Sequence, residues 1–399
     1  MLKIMIVDEY KIVNHSGGIE KVICNFANAF VKKGYDINIV GLDTEEGKPQ
    51  FFLDKRVEFI NLAFKGEKYE NIKLFMCKIM KEVLRTFAGK DMQLFGKKVK
   101  DPKYDYFKTQ FIKRLQKVVC EKKPDLILSV SPDSARFVNE ASPNIKHIMM
   151  CHSDARRVIR EMMDNDNDVS IFKKVDAVQV LMPSYVEPII GVGAKNVKYI
   201  PNYVNQISKD ICQDMVKKNK KIVTVGRVEK TLKRTHLLVE AFCKINHEIE
   251  NWELFVYGNI DSKNYYRQIK KIIDFYRCQN KIHFMGTTNK IIDEIKDADI
   301  FVLPSASEGF SLALTEAMSL GLPVIGYKSC GMVNEIIKNN INGLLCEDGV
   351  DALGKAIIKL AENDKLRKEF GGRGMLDMKA YAPDKIWEQW EVFLKETLK

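Results

Sequence analysis

Two carboxylates eight residues apart, Glu308 and Glu316, lie in the stretch IFVLPSASEGFSLALTEAMSLGLPVIGY, residues 300–327. By residue type this stretch reads strand, loop, helix, stop, strand. Ile300 to Leu303 is an apolar run ended by Pro304, the pattern of a buried parallel strand. Ser311 suits an N-cap for a helix running to about Leu320, where Gly321 and Pro323 stop it. Glu308 then sits in a loop at the C-terminal edge of a sheet, where open α/β sheets bind their ligands. Glu316 lies one to two turns into the helix. Unpaired backbone N–H groups beside Gly309 and Phe310 suit an anion. A ligand that is phosphate at one end and polyhydroxyl at the other satisfies both features, and a nucleotide sugar has that make-up. Taken alone the spacing is weak, because a loop acid and a solvated helix acid would also give it.

The elements that must hold such a site recur twice. Lys3–Asp8 is an opening strand, and after a loop the apolar positions Ile19, Val22, Ile23, Phe26, Ala27, Phe30 and Val31 mark one face of a helix. Gly34 ends that helix and Asp36–Gly41 gives a second strand, a right-handed βαβ unit. Gly17 and Gly18 open the helix, either to admit a ligand to the backbone or only to make a tight turn. Lys146–Cys151 is a further strand that delivers His152 to the same edge, as a cleft residue or as a satisfied structural histidine. The pattern restarts at Lys221–Val225, followed by Gly226-Arg227 and the helix 235–245. Trp252–Tyr257 with Gly258, a helix over 263–277, Lys281–Gly286 and a helix over 351–370 continue it. The last segment, 383–399, is a helix with Trp387, Trp390 and Phe393 on one side.

At 399 residues the chain is too long for one core and natural for two domains. A hydrophobic content of 46% fits a globular protein. No apolar run is long enough to span a bilayer, and MLKIMIVDEY reads as a strand rather than a signal peptide, so a cytoplasmic location is expected. Nine scattered cysteines with no C-x-x-C pair point to reduced thiols, not to zinc or disulfides. Net charge is +11, and residues 65–123 hold 17 Lys and Arg against 7 Asp and Glu, a local +10. Two pieces of that segment carry helical apolar spacing: Ile72, Phe75, Met76, Ile79, Val83, and Phe107, Phe111, Leu115, Val118. A basic amphipathic surface is attracted to anionic headgroups, although an ordinary solvated or self-packed helix pair would look similar. No nucleic-acid module accompanies the charge.

The stretch 308–325 resembles the signature EGFxLxxxEAMxxGxPVI of retaining glycosyltransferases of the GT-B type, family 4. Gly17, Gly18 and Glu20 are similar to that family's first loop, GGxE, and 199–204, YIPNYV, to its interdomain linker. Arg227 and Lys233 fit its G-R-x5-K pattern, with Lys230 and Arg234 as neighbouring rivals. The resemblance implies two Rossmann-like parallel-sheet domains facing an interdomain cleft. The expected boundaries are 1–203 for the acceptor domain, 204–380 for the donor domain, and 381–399 for a helix crossing back to the first domain.

It also implies roles. Glu308 positions the donor sugar, Glu316 the ribose, and His152 meets the sugar from the opposite wall. Gly17 and Gly18 lie near diphosphate or acceptor, backbone groups of Gly309, Phe310, Ser311 and Leu312 hold phosphate, and those around Phe284 and Met285 hold the base. Arg227 and Lys233 stabilise the leaving diphosphate without a metal. At about 4 Å and an effective dielectric near 20, each such contact is worth roughly 4 kcal/mol before desolvation. Ser311 departs from the family, where many members have Gly, and would narrow the donor pocket or bond a sugar hydroxyl. The run 164–168, DNDND, is similar to the metal motif of GT-A enzymes, yet no apolar strand precedes it and it reads as a solvated loop.

The expected activity is therefore metal-independent retaining transfer of a hexosyl or N-acetylhexosaminyl group from a nucleoside-diphosphate sugar, UDP favoured, with no cofactor. The acceptor would be lipid-linked or a surface glycan in bacterial polysaccharide synthesis, met at the inner membrane face. The alternatives are a glycogen-synthase-like or epimerase-like GT-B enzyme, and a catalytically silent partner subunit.

Overall fold

A computed structural model describes residues 1–9, 12–15, 17–43, 47–62, 68–88, 93–94, 97–98, 101–164, 168–207 and 220–399. The first half contributes strands β1 (Lys3–Asp8), β2 (Asp36–Gly41) and β3 (Glu58–Asn61). Two short strands, β4 (Gln93–Leu94) and β5 (Lys97–Lys98), pair antiparallel in a sheet of their own. Then follow β6 (Leu126–Ser129), β7 (Lys146–Cys151), β8 (Ala177–Val180) and β9 (Val197–Tyr199). The second half contributes β10 (Lys220–Val225), β11 (Trp252–Tyr257), β12 (Ile282–Gly286), β13 (Ile300–Leu303), β14 (Val324–Tyr327) and β15 (Gly343–Cys346).

These strands make two parallel sheets of seven and six strands, ordered β3-β2-β1-β6-β7-β8-β9 and β12-β11-β10-β13-β14-β15. Each sheet winds outward in both directions from its first strand. The order therefore reverses between β1 and β6 in one sheet and between β10 and β13 in the other, and a crevice opens at the strand ends there. The central strands are buried on both faces: Ile4 to Val7, Leu126 to Leu128, Ile300 to Leu303 and Val324 to Ile325 are each at most 1% exposed. This burial explains why they read as unbroken apolar runs rather than alternating ones.

The two halves share a core. Cys151, Ala155 and Tyr185 of the first belong to one apolar cluster with Phe310, Leu314 and Met332 of the second. Helix Pro383–Leu398 returns to the first sheet, where Trp390 and Trp387 meet Phe26 edge-on with centroids 5.2 and 6.0 Å apart. Phe393 is wholly buried beside them.

The helix expected over 351–370 is two helices, Val350–Ala361 and Asp364–Met378. Asn363 causes the break, its side-chain oxygen accepting from the Leu366 N–H at 2.9 Å as an N-cap. Both amphipathic pieces of the basic segment are helices, Lys68–Ala88 and Pro102–Lys122.

Candidate active site

The loop leaving β13 is clamped before it reaches Glu308. Arg234 donates from Nε to the Pro304 carbonyl (3.0 Å) and from Nη2 to the Ser305 carbonyl (3.1 Å). Its Nη1 bonds Asp348 at 2.7 Å, and its guanidinium lies 4.6 Å from the Tyr327 ring centre. Arg234 is thus committed to holding the loop, which removes it as a rival to Lys233. The Ala306 N–H donates to the Leu232 carbonyl at 2.7 Å, tying the loop to the strap after β10. From the other half, the Tyr185 hydroxyl donates to the Glu308 carbonyl at 2.8 Å, and Ser307 Oγ donates to Asp154 at 3.3 Å.

Gly309 marks the closest approach of the halves. A Cβ there would lie 2.1 Å from the His152 carbonyl oxygen and 2.9 Å from Ser153 Cα, so only glycine lets the two backbones touch. Phe310 follows, buried and 5.7 Å from the Tyr381 ring. Ser311 is the N-cap of helix Leu312–Ser319, its Oγ accepting from the Leu314 N–H at 3.4 Å. The hydroxyl that departs from the family pattern therefore serves the helix.

The Glu308 side chain is 9% exposed and accepts from Lys233 Nζ at 2.5 Å. Lys233 is aimed by Glu229, whose carboxylate accepts from the N–H groups of Thr231 (3.1 Å), Leu232 (2.5 Å) and Lys233. Burial pushes the Glu229 carboxyl up, but those bonds outweigh it and hold the group below the usual range. The Lys233 stem runs beside Gly226, whose added Cβ would touch it at 3.4 Å. Arg227 is 61% exposed and turned outward to Asp261, at 3.2 Å. Of the two cations expected to act together, one sits on Glu308 and the other at the rim.

Glu316 is 7% exposed and ion-paired with Lys21 Nζ from the first half, a partner that nothing in the sequence links to it. Lys21, Asn25, Tyr203, Asn205, Leu312 and Glu316 line a small cavity between the halves. Gly17 is the N-cap of helix Gly18–Lys32. The Glu20 carboxylate folds back against Gly17, where an added Cβ would displace it, and contacts His15 Nδ1. A Cβ on Gly18 would be 3.9 Å from Leu312 Cδ1, so the first loop faces the start of the second half's helix.

Two histidines behave differently. His147 Nε2 is satisfied by Ser129 Oγ at 2.8 Å. His152 Nε2 is buried with no hydrogen-bond partner among the described residues, and burial pushes the imidazole down to about 4. His152 is therefore a neutral ring with an unpaired nitrogen, while the satisfied structural histidine is His147.

At the far edge, the β11–β12 register slips: Val256 faces Phe284 and Tyr257 faces Gly286. Met285 is left opposite no residue of β11, a bulge that removes its backbone groups from the ladder. Its side chain is exposed, and Phe284 stands edge-on to Tyr266 at 5.0 Å. Of the acidic run, 165–167 lie outside the described residues. Asp164 ends helix Ala155–Asp164, and the Asp168 carboxylate accepts from Ser170 N and Oγ at 2.7 and 2.5 Å, a local turn.

Two parallel-sheet domains facing one crevice, with the last helix recrossing, define the GT-B fold. The S. aureus TarM structure in complex with Fondaparinux, alpha-GlcNAc-glycerol and UDP has this architecture. Its TM-score is 0.74 at 16% identity, covering 100% of each chain, a likeness of fold. Residues 211–375, the donor-side half of this fold, match the family Glycosyl transferases group 1, so that part of the chain is similar to glycosyltransferases of the group 1 type. An uncharacterized glycosyltransferase of Haemophilus influenzae is 23% identical over 96% of this chain and 97% of its own length. The capsular polysaccharide biosynthesis glycosyltransferase CapM of Staphylococcus aureus is 29% identical over 43% of this chain and 46% of its own.

Proposed function

We propose that this chain transfers a hexosyl or N-acetylhexosaminyl group from a UDP-sugar to a glycan acceptor with retention at the anomeric carbon, and without a metal. The observation that carries this reading is the placement of Glu308 on Lys233 at the start of helix Leu312–Ser319, opposite Gly17, Gly18 and the unpaired His152. The helix start and Lys233 take the diphosphate. Arg227 turns in from Asp261, since an exposed pair is worth under about 1 kcal/mol and is readily exchanged. Glu308 orients the sugar hydroxyls, Glu316 takes the ribose, and backbone groups at the Met285 bulge meet the base. His152, neutral, offers its free nitrogen to the sugar.

The acceptor hydroxyl attacks the face from which the diphosphate departs. The new C–O bond forms as the C–O bond to diphosphate breaks, and the departing phosphate oxygen takes the acceptor proton. Closure of the two halves excludes water and suppresses hydrolysis. The UDP of the TarM complex and the capsular role of CapM support a UDP-sugar donor and a surface-glycan acceptor, and the basic segment 65–123 supports an acceptor that is lipid-linked and met at the inner face of the membrane.

The test is a thermal shift with UDP, GDP and ADP, each with and without EDTA. A nucleotide at about 100 times its dissociation constant adds roughly 2.7 kcal/mol. Stabilisation by UDP that EDTA leaves unchanged supports the reading. A shift that EDTA abolishes overturns the metal-free mechanism, and no shift with any nucleotide favours a silent binding subunit.

A further inference from the structure

Helix Lys68–Ala88 carries more apolar surface outward than inward. Ile72, Phe75, Met76, Ile79, Met80, Val83 and Phe87 fall on one side at i, i+3, i+4, i+7, i+8, i+11 and i+15, and each is 48–77% exposed. The half-buried line is Leu74, Cys77, Lys81 and Leu84, on the side where Lys81 pairs with Asp101 at the N-cap of the next helix. That next helix, Pro102–Lys122, behaves ordinarily. It buries Phe111, Leu115, Val118 and Val119 against Met5, Val7, Ile127 and Phe137 of the first domain. The two helices have similar sequence patterns and opposite fates: one is fastened to the sheet, the other rides on it with its apolar face uncovered.

We infer that helix Lys68–Ala88 is a membrane-docking element that lays its apolar face into the headgroup boundary of an anionic bilayer. A contiguous row of seven large exposed side chains is far beyond the scattered apolar residues of an ordinary surface. Among the described residues no helix is long and apolar enough to cross a membrane, so this one lies in the interface plane. Charge selects the occupant. The segment 65–123 holds nearly the whole net charge of the chain, 17 Lys and Arg against 7 Asp and Glu. Lys78 and Arg85 on this helix, the latter paired with Glu82, and Lys113 and Lys117 on the next are exposed. A second copy docking face to face would bring two such positive surfaces together, whereas an anionic leaflet neutralises them at about fivefold in affinity per lysine near the surface. The inference rests on the membrane part of the proposed function and on none of its chemistry.

The test is flotation of the full chain with vesicles of phosphatidylglycerol and phosphatidylcholine in equal parts, and with phosphatidylcholine alone. The parent should float with the anionic vesicles, release at high salt, and ignore the neutral ones. The triple variant Phe75→Ser, Met76→Ser, Ile79→Ser should bind the anionic vesicles at least about tenfold more weakly, with an unchanged melting temperature and unchanged UDP binding. Phe75→Trp should show a blue-shifted emission component only with anionic vesicles. Glu308→Gln should float like the parent, so that a failure of the sugar-transfer reading leaves this one standing. Equal flotation of triple variant and parent overturns the inference, as does a parent that floats with neither vesicle. A parent dimer that the triple variant dissolves assigns the face to a second copy and also overturns it.

Discussion

Lys21, on the first helix of one domain, is ion-paired with Glu316, on the helix of the other domain that follows β13. The carboxylate is nearly buried, so deleting the ammonium leaves a charge without a partner, a loss of about 1–3 kcal/mol. We expect Lys21→Met to lower the melting temperature accordingly. If Glu316 accepts from ribose hydroxyls, UDP then supplies the missing donors, and its stabilising shift should be larger in the variant than in the parent. A smaller or equal shift would remove Glu316 from the ribose site.

Glu308 and Lys233 give a second pair of outcomes. Glu308→Gln keeps the size of the side chain and removes its charge, so the fold should hold while kcat drops by at least about a hundredfold. Lys233→Ala removes the cation proposed for the leaving group and takes from the 9% exposed Glu308 its ion-pair partner, so both kcat and melting temperature should fall. Full turnover in Glu308→Gln, followed by product release from the donor sugar, would end the central assignment.

Gly309 and Gly372 differ in what a methyl group would meet. At Gly309 it would sit 2.1 Å from the His152 carbonyl, between two backbones that cannot yield like a side chain. Gly309→Ala should cost about 1–3 kcal/mol and weaken donor binding as the halves are pushed apart. Gly372 lies within helix Asp364–Met378 with nothing inside 4 Å of the added carbon. Gly372→Ala should instead stabilise by roughly 0.5–1 kcal/mol. Thermal unfolding of both variants checks the contrast, and equal effects would refute the close contact at Gly309.

What could be read before folding followed from local physics. The strands buried on both faces announced themselves as apolar runs, Ser311 as a cap, and the two halves as βαβ units because their glycines and prolines fall at the ends. The break at Asn363 was hidden because helix-forming residues run on both sides of it with no proline between them, and the side-chain cap to Leu366 marks it in the structure. Lys21 was invisible as a partner of Glu316 because 295 residues separate them and a lysine after a helix start usually faces water. The choice of Lys233 over Arg234 rested on spacing, and it took the guanidinium bonds to Pro304, Ser305 and Asp348 to give Arg234 a different task. The difference between the two basic helices was equally hidden, since only the tertiary fold decides which apolar face finds a sheet.

Glu9 sets a pH dependence opposite in sign to that of the buried histidines. Its carboxyl, at the end of β1, accepts from Ser131 Oγ at 2.6 Å and contacts Ser134 Oγ. Burial first, and then the neighbouring Asp8, push it up to about 8. The folded protein therefore keeps a proton that the unfolded chain releases near 4.5, and stability falls as pH rises from about 4.5 towards 8. His147 and His152, held down to about 4 by burial, refuse protons that the unfolded chain takes near 6.5, so they lose stability as pH falls through that window. Glu9→Gln preserves the size and hydrogen bonding of the protonated acid and removes only the first effect. Between pH 5 and 7 its stability relative to the parent should rise by about 1 kcal/mol per pH unit, while the acid-side loss from the histidines stays. Denaturant unfolding of both proteins at three pH values measures this, and a constant difference would show that Glu9 is ionised in the folded state.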